Sequence, residues 1–423
     1  MSVSKQISID ELRPGMFITD MDLPWYRTPF LFHKRLIQDT ETIQLMKQYG
    51  VKMVTIDTSK GCDVADQPYI HQKAAPSPTG ESVADTTSPP SAERHGSETT
   101  DTPPPISAAG VYAEVQEAIE RIFADLERGT PPTPAQTKIA VSRLLNQVLD
   151  QRDAIITQSV FRKIKEFDSS IAAHTLDTCI LSLVVAIESG VDPALYEHVG
   201  TGALLHDVGY VRLPRNLVRK QHDCTESERR LLQQHPQLGV ALLREQAGFH
   251  DEVLRIVLEH HEHSNGSGFP HGTAGEALSP LSQLVGIVNF YDGLVSRRGG
   301  RPAMTPHDAI RQLFLVGERQ HYAKSLVEAV IRSIGVYPVG SLVRLNTGEQ
   351  AVVVGTNPTH RLKPQIRIIG GPHGESYADP EPIDLAMPSQ QGIVRSILRV
   401  LDPIQERVNI SMYLSHSIDQ ATS

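Results

Sequence analysis

The sequence predicts a mainly α protein in which an all-helical domain lies between a small N-terminal α+β domain and a small C-terminal β-rich module. Apolar residues recur at helical spacing over residues 111–335, whereas strand-like alternation is confined to the two ends of the chain. A segment rich in proline, serine and threonine separates the first end from the middle. At roughly 100–200 residues per domain, the 423 residues suit two or three domains.

The first 72 residues predict a small α+β domain with a regulatory role. Residues 17–19 are rich in β-forming side chains, and residues 51–56 alternate between apolar and polar like a strand. Between them, apolar residues over 36–49 recur at helical spacing. These elements are enough for a single small layer of strands with one helix.

A disordered linker is predicted at residues 73–107. Within it, 18 of the 30 residues from 76 to 105 are proline, serine or threonine, and Val83 is the only large aliphatic side chain. Such a segment cannot bury enough apolar surface to offset the entropy lost on ordering it.

The helical domain is predicted at residues 108–335. Helical spacing marks residues 111–123, 141–149 and 176–187, and Gly190 is a plausible end for the third helix. Residues 284–294 are almost entirely apolar, which indicates a buried helix.

The C-terminal module is predicted at residues 336–423. Strand-like runs occupy residues 341–345, 350–354 and 365–369, and glycine, asparagine and proline separate them. The apolar spacing over 393–410 predicts one further helix before a polar tail.

Composition excludes several classes of function. The net charge of −9 argues against nonspecific binding to DNA or RNA, and no apolar run reaches the roughly 18 residues of a membrane span. The N-terminus lacks an apolar signal segment, so export is not expected. The three cysteines, Cys62, Cys179 and Cys224, are far apart and form no CxxC pair, which predicts a reducing cytoplasmic location.

Histidine is unevenly distributed. Residues 174–271 hold ten of the 18 histidines, where even spreading would place about four. His206 and Asp207 follow an apolar helix, and an imidazole beside a carboxylate suits Fe, Mn or Zn. With His174, His235 and the pair His260 and His261 on other predicted helices, the set could converge on a pocket for two metal ions.

A tight loop follows the histidine pair directly. Its residues, Asn265 to Pro270, include Gly266 and Gly268, whose backbone can approach a ligand closely. This position predicts a substrate loop.

Four segments together resemble the HD-GYP family, which are HD-superfamily metal phosphodiesterases that cleave cyclic di-GMP. The segments are His206-Asp207-Val208-Gly209, His260-His261-Glu262, Gly266-Ser267-Gly268-Phe269-Pro270 and Tyr291-Asp292-Gly293-Leu294. The N-terminal part, with Arg13-Pro-Gly-Met-Phe and Leu23-Pro-Trp, resembles the uncharacterised domain that often precedes HD-GYP domains.

The resemblance implies roles for individual residues. The matching metal-ligand positions are His174, His206, Asp207, His235, His260, His261 and Asn289. Iron or manganese is the implied metal, with Asp207 and His206 at the catalytic centre. Arg298 and Arg301 match a pair that holds a substrate phosphate, and the loop residues Gly268 and Phe269, with Tyr210, are the other implied substrate contacts.

The chain also departs from the family pattern. Tyr210 stands where the family has a lysine, and Phe269 stands where it has a tyrosine. Asn289 replaces a metal-binding aspartate with an uncharged amide, which is a weaker ligand. Ser170 stands where three-metal members carry a glutamate, so two divalent ions are expected.

The resulting prediction is a metal-dependent phosphodiesterase that hydrolyses cyclic di-GMP to linear pGpG or GMP in bacterial second-messenger signalling, with turnover weakened by Tyr210 and Asn289. One alternative is a catalytically degenerate module that binds cyclic di-GMP or a protein. Another is an HD phosphohydrolase that acts on a different nucleotide. Protein partners that bind through the N-terminal domain, and a homodimer, are further expectations.

Overall fold

The computed structural model describes most of the residues of the chain. They are residues 4–22, 35–37, 40–48, 50–63, 107–165, 170–220, 224–297, 303–357, 359–372, 375, 377, 382–387 and 393–414. The chain divides into two compact units, Met1–Pro105 and Ile106–Ser423. The linker predicted at 73–107 lies outside the described residues except for Ser107, so the predicted domain boundaries remain predictions.

The first unit contains an antiparallel sheet and one helix. Its elements are β1 (Ser4–Ser8), β2 (Phe17–Met21), β3 (Arg35–Leu36), α1 (Thr40–Gln48) and β4 (Met53–Asp57). The strand order is β1-β4-β2-β3. Ile18 and Ile56, which pair across β2 and β4, are fully buried, as is Met46 of α1. The helix expected from residue 36 begins later because Leu36 pairs with Phe17 in the sheet.

The second unit begins with the helical part. Its α-helices are α2 (Ala108–Glu127), α3 (Pro134–Lys165), α4 (Ile171–Glu188), α5 (Tyr196–Leu205), α6 (Arg215–Lys220), α7 (Glu226–Leu232), α8 (His235–Arg244), α9 (Asp251–Glu259), α10 (Pro280–Val295), α11 (Pro306–Glu318) and α12 (Lys324–Ile334). Short 3-10 helices lie at Pro193–Leu195, Val208–Arg212 and Gly275–Ala277. A kink at Gln151 (φ −140°, ψ 54°) divides α3.

Helix α4 is the core of this part. Ser170 caps its start, where the side chain accepts a hydrogen bond from the backbone N–H of Ala173 at 3.1 Å, and Gly190 follows its end with φ +70°. It contacts α2, α3, α5, α10 and α12. The helix is long and apolar enough to span a membrane, but 83% of it is buried inside the protein, as expected for a core helix.

The C-terminal part is a five-stranded antiparallel sheet. Its strands are β5 (Leu342–Leu345), β6 (Gln350–Gly355), β7 (Gln365–Gly370), β8 (Pro382–Asp384) and β9 (Ile397–Leu401), in the order β8-β7-β6-β5-β9. The helix predicted over 393–410 is wrong, since none of these residues is helical and residues 397–401 form β9. These residues pair with β5, and Ile397 and Leu401 at the strand ends are buried, because an apolar run this short fits either period and strand pairing decides between them. The predicted fold class, mainly α with small sheets at both ends, is confirmed.

Candidate metal centre

Six predicted metal ligands come together, and five of them lie where helices begin or end. His206 and Asp207 follow α5, His235 is the first residue of α8, and His260 and His261 follow α9. His174, by contrast, lies within α4. Five of the six side chains are buried, and His261 is half-buried.

Asp207 lies between two groups of histidines. Its Oδ2 is 3.7 Å from Nε2 of His174 and 3.4 Å from Nε2 of His206. Its Oδ1 is 3.4 Å from Nε2 of His235 and 3.8 Å from Nε2 of His260. Each carboxylate oxygen therefore faces its own pair of imidazole nitrogens, which is the arrangement of a carboxylate bridging two ions.

Backbone carbonyls fix the orientation of three of these rings. The Nδ1 atoms of His206, His235 and His260 lie 2.7, 2.8 and 2.9 Å from the carbonyl oxygens of Ala203, Leu232 and Val257 respectively. A carbonyl oxygen can only accept a hydrogen bond, so each Nδ1 carries the proton and each Nε2 presents its lone pair to the centre. Metal-binding histidines are held in the same way.

The charges of the centre suit a divalent ion. Burial, reinforced by His261, lowers the pKa of His260 well below its usual range, and burial with His235 does the same to the pKa of His261. Burial opposes ionisation of Asp207, but His206 and His235 outweigh it and hold its pKa well below the usual value. Neutral imidazoles at His260 and His261 and an ionised carboxylate at Asp207 are protonation states that metal binding requires.

The contacts within the centre fit an ion better than they fit hydrogen bonds. Nε2 of His206 is buried without a hydrogen-bond partner, and Nε2 of His235 lies 3.2 Å from Nε2 of His260. Two lone pairs at that distance repel each other unless a cation lies beside both. Ligand atoms held at ~2.1 Å from one ion are themselves roughly 3–3.5 Å apart. The described residues therefore supply two groups that could each hold an ion: Asp207, His235, His260 and His261, and His174, His206 and Asp207.

Asn289 and Asp292, both on α10, contact His174 from different sides. Oδ1 of Asn289 lies 2.9 Å from Nε2 of His174, at the edge of the group formed by His174, His206 and Asp207, which is where the predicted amide ligand has to lie. Asp292 does not face Asp207. Its Oδ2 lies 2.6 Å from Nδ1 of His174 and orients that ring from the opposite side.

Behind His174 lies a buried ionic network that was not predicted from the sequence. Nζ of Lys163 is 2.7 Å from Oδ1 of Asp292 and 2.8 Å from Oδ2 of Asp177. The hydroxyl of Tyr112 donates to Asp177 at 2.9 Å. Burial alone would lower the pKa of Lys163, but the two carboxylates outweigh it and raise that pKa, so the lysine stays charged.

Only one member of this network had a visible signal in the sequence. Asp177 is a single charge in the apolar run of α4, and such a charge needs a buried partner. Lys163 stands in the basic stretch Arg162-Lys163-Ile164-Lys165, where nothing distinguishes it from solvent-exposed neighbours.

Two aromatic rings cover the histidines. Tyr210 stacks on His235 with ring centroids 4.2 Å apart, and Phe269 stacks on His261 at 4.4 Å. A Cβ on Gly268 would lie 2.5 Å from the carbonyl oxygen of His261, so this loop position requires glycine. The predicted substrate contacts Tyr210, Gly268 and Phe269 thus lie beside the centre. Arg298 and Arg301 lie outside the described residues.

Gly209 brings two of the ligand-bearing segments together. A Cβ at this position would lie 1.9 Å from the carbonyl oxygen of His235 and 2.6 Å from the backbone nitrogen of Gly239. The 3-10 helix that follows Asp207 can therefore approach the start of α8 only with glycine there. From the sequence, Gly209 was recognised only as part of the segment His206-Asp207-Val208-Gly209, and this close backbone approach was not predicted.

Three family models match the chain. An HD domain matches residues 130–326, a domain of unknown function matches residues 4–137, and a KOW domain associated with HD domains matches residues 342–399. The last match lies within the C-terminal module predicted at residues 336–423.

Proteins similar to this chain include two relatives found by sequence and one solved structure. The cyclic di-GMP phosphodiesterase PA4108 of Pseudomonas aeruginosa is 26% identical over 91% of this chain and 90% of its own length. The cyclic di-GMP phosphodiesterase response regulator RpfG of Xanthomonas campestris is 29% identical over 40% of this chain and 45% of its own length. The solved structure of an HDG"Y"P protein from Bdellovibrio bacteriovorus covers 78% of this chain and 98% of its own, with 17% identity and a TM-score of 0.45.

Proposed function

We propose that this chain, as a member of the HD-GYP family, is a metal-dependent phosphodiesterase. Its reaction would be the hydrolysis of cyclic di-GMP to linear pGpG or GMP. The observation that carries the proposal is the position of Asp207, whose two oxygens face separate pairs of imidazoles. The similarity to a protein named cyclic di-GMP phosphodiesterase extends over 91% of the chain, which supports the choice of substrate.

The centre would hold two divalent ions, with iron or manganese as the best match to the ligands. One ion would lie between His174, His206 and Asp207, with Asn289 beside it. The other would lie between Asp207, His235, His260 and His261. An all-nitrogen and oxygen donor set suits these metals and lacks the thiolates that softer ions prefer.

Two ions held in this way would supply Lewis acidity to the scissile phosphate and lower the pKa of an attacking water. The role of the protein is to fix their spacing. Asp207 belongs to both ligand groups and would therefore fix the distance between the two ions. The backbone carbonyls that accept from Nδ1 keep the imidazoles of His206, His235 and His260 facing the centre. Because these groups are already oriented, no reorganisation is needed when charge develops on the phosphate oxygens.

The rings of Tyr210 and Phe269 would form the walls that receive the dinucleotide. Both are aromatic faces beside the ligand histidines, and a guanine base can stack on such a face. Tyr210 adds a hydroxyl that can donate one hydrogen bond to a phosphate oxygen, but it carries no positive charge at neutral pH. Arg298 and Arg301 would supply that charge.

A second candidate function is cyclic di-GMP binding without cleavage. The observation that favours it is Asn289, which places an uncharged amide oxygen beside His174 where a carboxylate would bind the ion more strongly. Under this alternative the helical part is an interaction module, and its ligand-bound state is read by a partner protein.

A substrate panel tests both candidates. Anaerobically purified protein supplied with Fe(II) or Mn(II) is incubated with cyclic di-GMP, other cyclic dinucleotides and a nonspecific phosphodiester, and products are separated by chromatography. Linear dinucleotide or GMP from cyclic di-GMP, at a higher kcat/KM than for the other substrates, supports the proposal. Tight binding of cyclic di-GMP without product supports the second candidate, and preferred cleavage of another substrate contradicts both.

A further inference from the structure

The substrate loop and the two residues before it are attached to the turn between α11 and α12. The backbone N–H of Ser264 donates to the carbonyl oxygen of His321 at 2.8 Å, and Nδ2 of Asn265 donates to the carbonyl oxygen of Arg319 at 3.0 Å. The imidazoles of His263 and His321 stack with ring centroids 4.2 Å apart. The proposed reaction gives this turn no role.

Gln320 sets the direction of the turn. It has φ +57°, a left-handed conformation that residues other than glycine rarely adopt. The backbone N–H groups of Gln320 and His321 donate to the carbonyl oxygens of Gly317 and Val316 at 2.9 and 3.0 Å, which closes the end of α11. The carbonyl groups on either side of Gln320, those of Arg319 and His321, accept from the chain around the substrate loop instead.

Asn265 is exposed, but both ends of its side-chain amide form hydrogen bonds. Oδ1 accepts from the backbone N–H of Ser267 at 3.0 Å and from its hydroxyl at 2.7 Å, while Nδ2 donates to Arg319. A backbone N–H only donates and a carbonyl only accepts, so one orientation of the amide satisfies both partners. A carboxylate at this position could accept from Ser267 but could not donate to Arg319.

The end of the substrate loop carries a ring that covers the metal centre. The backbone N–H of Phe269 donates to the carbonyl oxygen of His261 at 3.1 Å, and the Phe269 ring stacks on the His261 imidazole. Just beyond, the backbone N–H of His271 donates to Oε1 of the buried Glu262 at 2.7 Å. The segment from Glu262 to His271 is therefore closed at its base, and Asn265 attaches it to a second element, the α11–α12 turn.

We propose that Asn265 is a positioning residue for the phosphodiesterase: by joining the substrate loop to the α11–α12 turn, it holds the Phe269 ring where a base of cyclic di-GMP stacks. This inference rests on the proposed function, in which Phe269 forms one wall of the dinucleotide site. A loop that is already fixed loses less entropy when substrate binds. The effect of Asn265 should therefore appear in substrate binding and not in bond cleavage.

Asn265→Asp separates the two ends of the amide. The carboxylate keeps both bonds from Ser267 and loses the bond to Arg319, whose carbonyl oxygen it repels. In the full metal-loaded chain, the loss of this hydrogen bond should raise KM for cyclic di-GMP by about three- to tenfold. The value of kcat and the metal content should not change, because no ligand of the ions is altered.

Asn346→Asp is the matched control. Asn346 is also exposed, and its amide also bonds at both ends: Nδ2 donates to the carbonyl oxygen of Val394 at 3.0 Å, and Oδ1 accepts from the backbone N–H of Ser396 at 2.9 Å. It follows β5 in the C-terminal sheet, so its replacement should lower the melting temperature by a similar amount and leave KM unchanged. A merely structural role for Asn265 predicts the same KM for both variants.

A double-mutant cycle with Phe269→Ala tests whether Asn265 acts through the ring. Phe269→Ala should itself raise KM, and adding Asn265→Asp should then raise it little further. Hydrogen exchange gives a readout that needs no turnover. The backbone N–H of Phe269, which is bonded to His261, should exchange faster in Asn265→Asp than in the wild type or in Asn346→Asp.

The proposal is overturned if Asn265→Asp leaves KM at the wild-type value, if Asn346→Asp raises KM equally, or if the effects of Asn265→Asp and Phe269→Ala add in full. An unchanged exchange rate at Phe269 also overturns it. A wild-type chain that does not hydrolyse cyclic di-GMP would instead contradict the proposed function. The exchange rates at Phe269 would still decide whether Asn265 positions the ring.

Discussion

At the scale of single residues, the centre depends on which atom each side chain presents. Sequence motifs pointed to His174, His206, Asp207, His235 and the pair His260 and His261, because polar residues next to apolar helical runs can be recognised from the sequence alone. They could not tell that Asp292 orients His174 from behind while Asn289 lies at its metal-facing side. The two residues are three positions apart on one helix, and only packing decides which of them reaches the centre.

Asn289→Asp should strengthen the metal centre and raise turnover. A carboxylate 2.9 Å from Nε2 of His174 would bind the ion with a full charge, so affinity should rise by about tenfold or more. Without metal, the same change adds a buried charge near Asp207 and should lower the melting temperature. Titration with Mn(II), followed by thermal unfolding, measures both effects.

The control for this prediction is Asn409→Asp. Asn409 is exposed, and its side-chain oxygen accepts from Ser411, which a carboxylate also does. It should change neither metal affinity nor turnover. If Asn289→Asp behaves like this control, position 289 does not limit the enzyme.

At the scale of secondary-structure elements, close helix packing and a buried ionic network position the ligands. Periodicity predicted α2, α4 and α10 well, because each has a clear apolar face or is apolar throughout. It failed over 397–401, where a five-residue apolar run becomes a strand only because β5 is available for pairing. It also gave no sign of the network around Lys163, since a lysine in a basic stretch looks solvent-exposed until four helices enclose it.

Gly209→Ala should disrupt the centre through the backbone. The added methyl group would lie 1.9 Å from the carbonyl oxygen of His235, so the start of α8 has to move and carry His235 away from Asp207. We expect a loss of about 1–3 kcal/mol in stability and a fall in metal content, measured by thermal unfolding and elemental analysis.

Gly293→Ala is the matched control. A Cβ there meets no described atom within 4 Å, and alanine favours a helix over glycine by up to about 1 kcal/mol. This variant should keep its metal and gain stability slightly. Metal retention in Gly209→Ala would show that the close approach does not position His235.

Lys163→Met should weaken metal binding without touching a ligand. The change leaves Asp177 and Asp292 as uncompensated buried carboxylates, which costs about 3–5 kcal/mol and releases the constraint on His174. Metal affinity should fall by roughly 10–100-fold. Adding Asp177→Asn removes one of the two charges and should restore part of the stability, as measured by chemical denaturation.

Lys138→Met on the same helix provides the comparison. Its partner is Glu197 in a surface pair with the lysine 61% exposed, so its loss should cost less than about 1 kcal/mol. If the two lysine variants lose equal stability and metal, the buried network does not support His174.

At the scale of the whole molecule, the proposed ions would add a further link between four helices that carry or adjoin the ligands. The ligands follow α5 and α9, begin α8 and lie within α4, so binding should stabilise the entire helical part. The order of the domains was predictable because the spacing of apolar residues and the amino-acid composition change clearly along the chain. The placement of the C-terminal sheet against α3 was not, since only the folded chain brings Thr356 to Asp153.

Chelation should therefore lower the melting temperature by several degrees. An ion present at 100 times its Kd stabilises the folded state by about 2.7 kcal/mol, and this is lost on treatment with a chelator. Asp207→Ala, which removes the ligand that both groups share, should melt at the same temperature with and without Mn(II). His198→Ala, a histidine that stacks on His250 away from the centre, should respond to the metal as the wild type does.

The role of Asp207 as the bridge of a catalytic centre is tested most directly by comparing cyclic di-GMP hydrolysis by the wild type and by Asp207→Asn, both saturated with Mn(II) under anaerobic conditions. The asparagine keeps the size of the side chain and removes the charge that two ions would share. We expect linear dinucleotide or GMP from the wild type and a rate lower by more than about a hundredfold in the variant. Equal rates, or no product from the wild type at high enzyme concentration, would contradict the proposed phosphodiesterase.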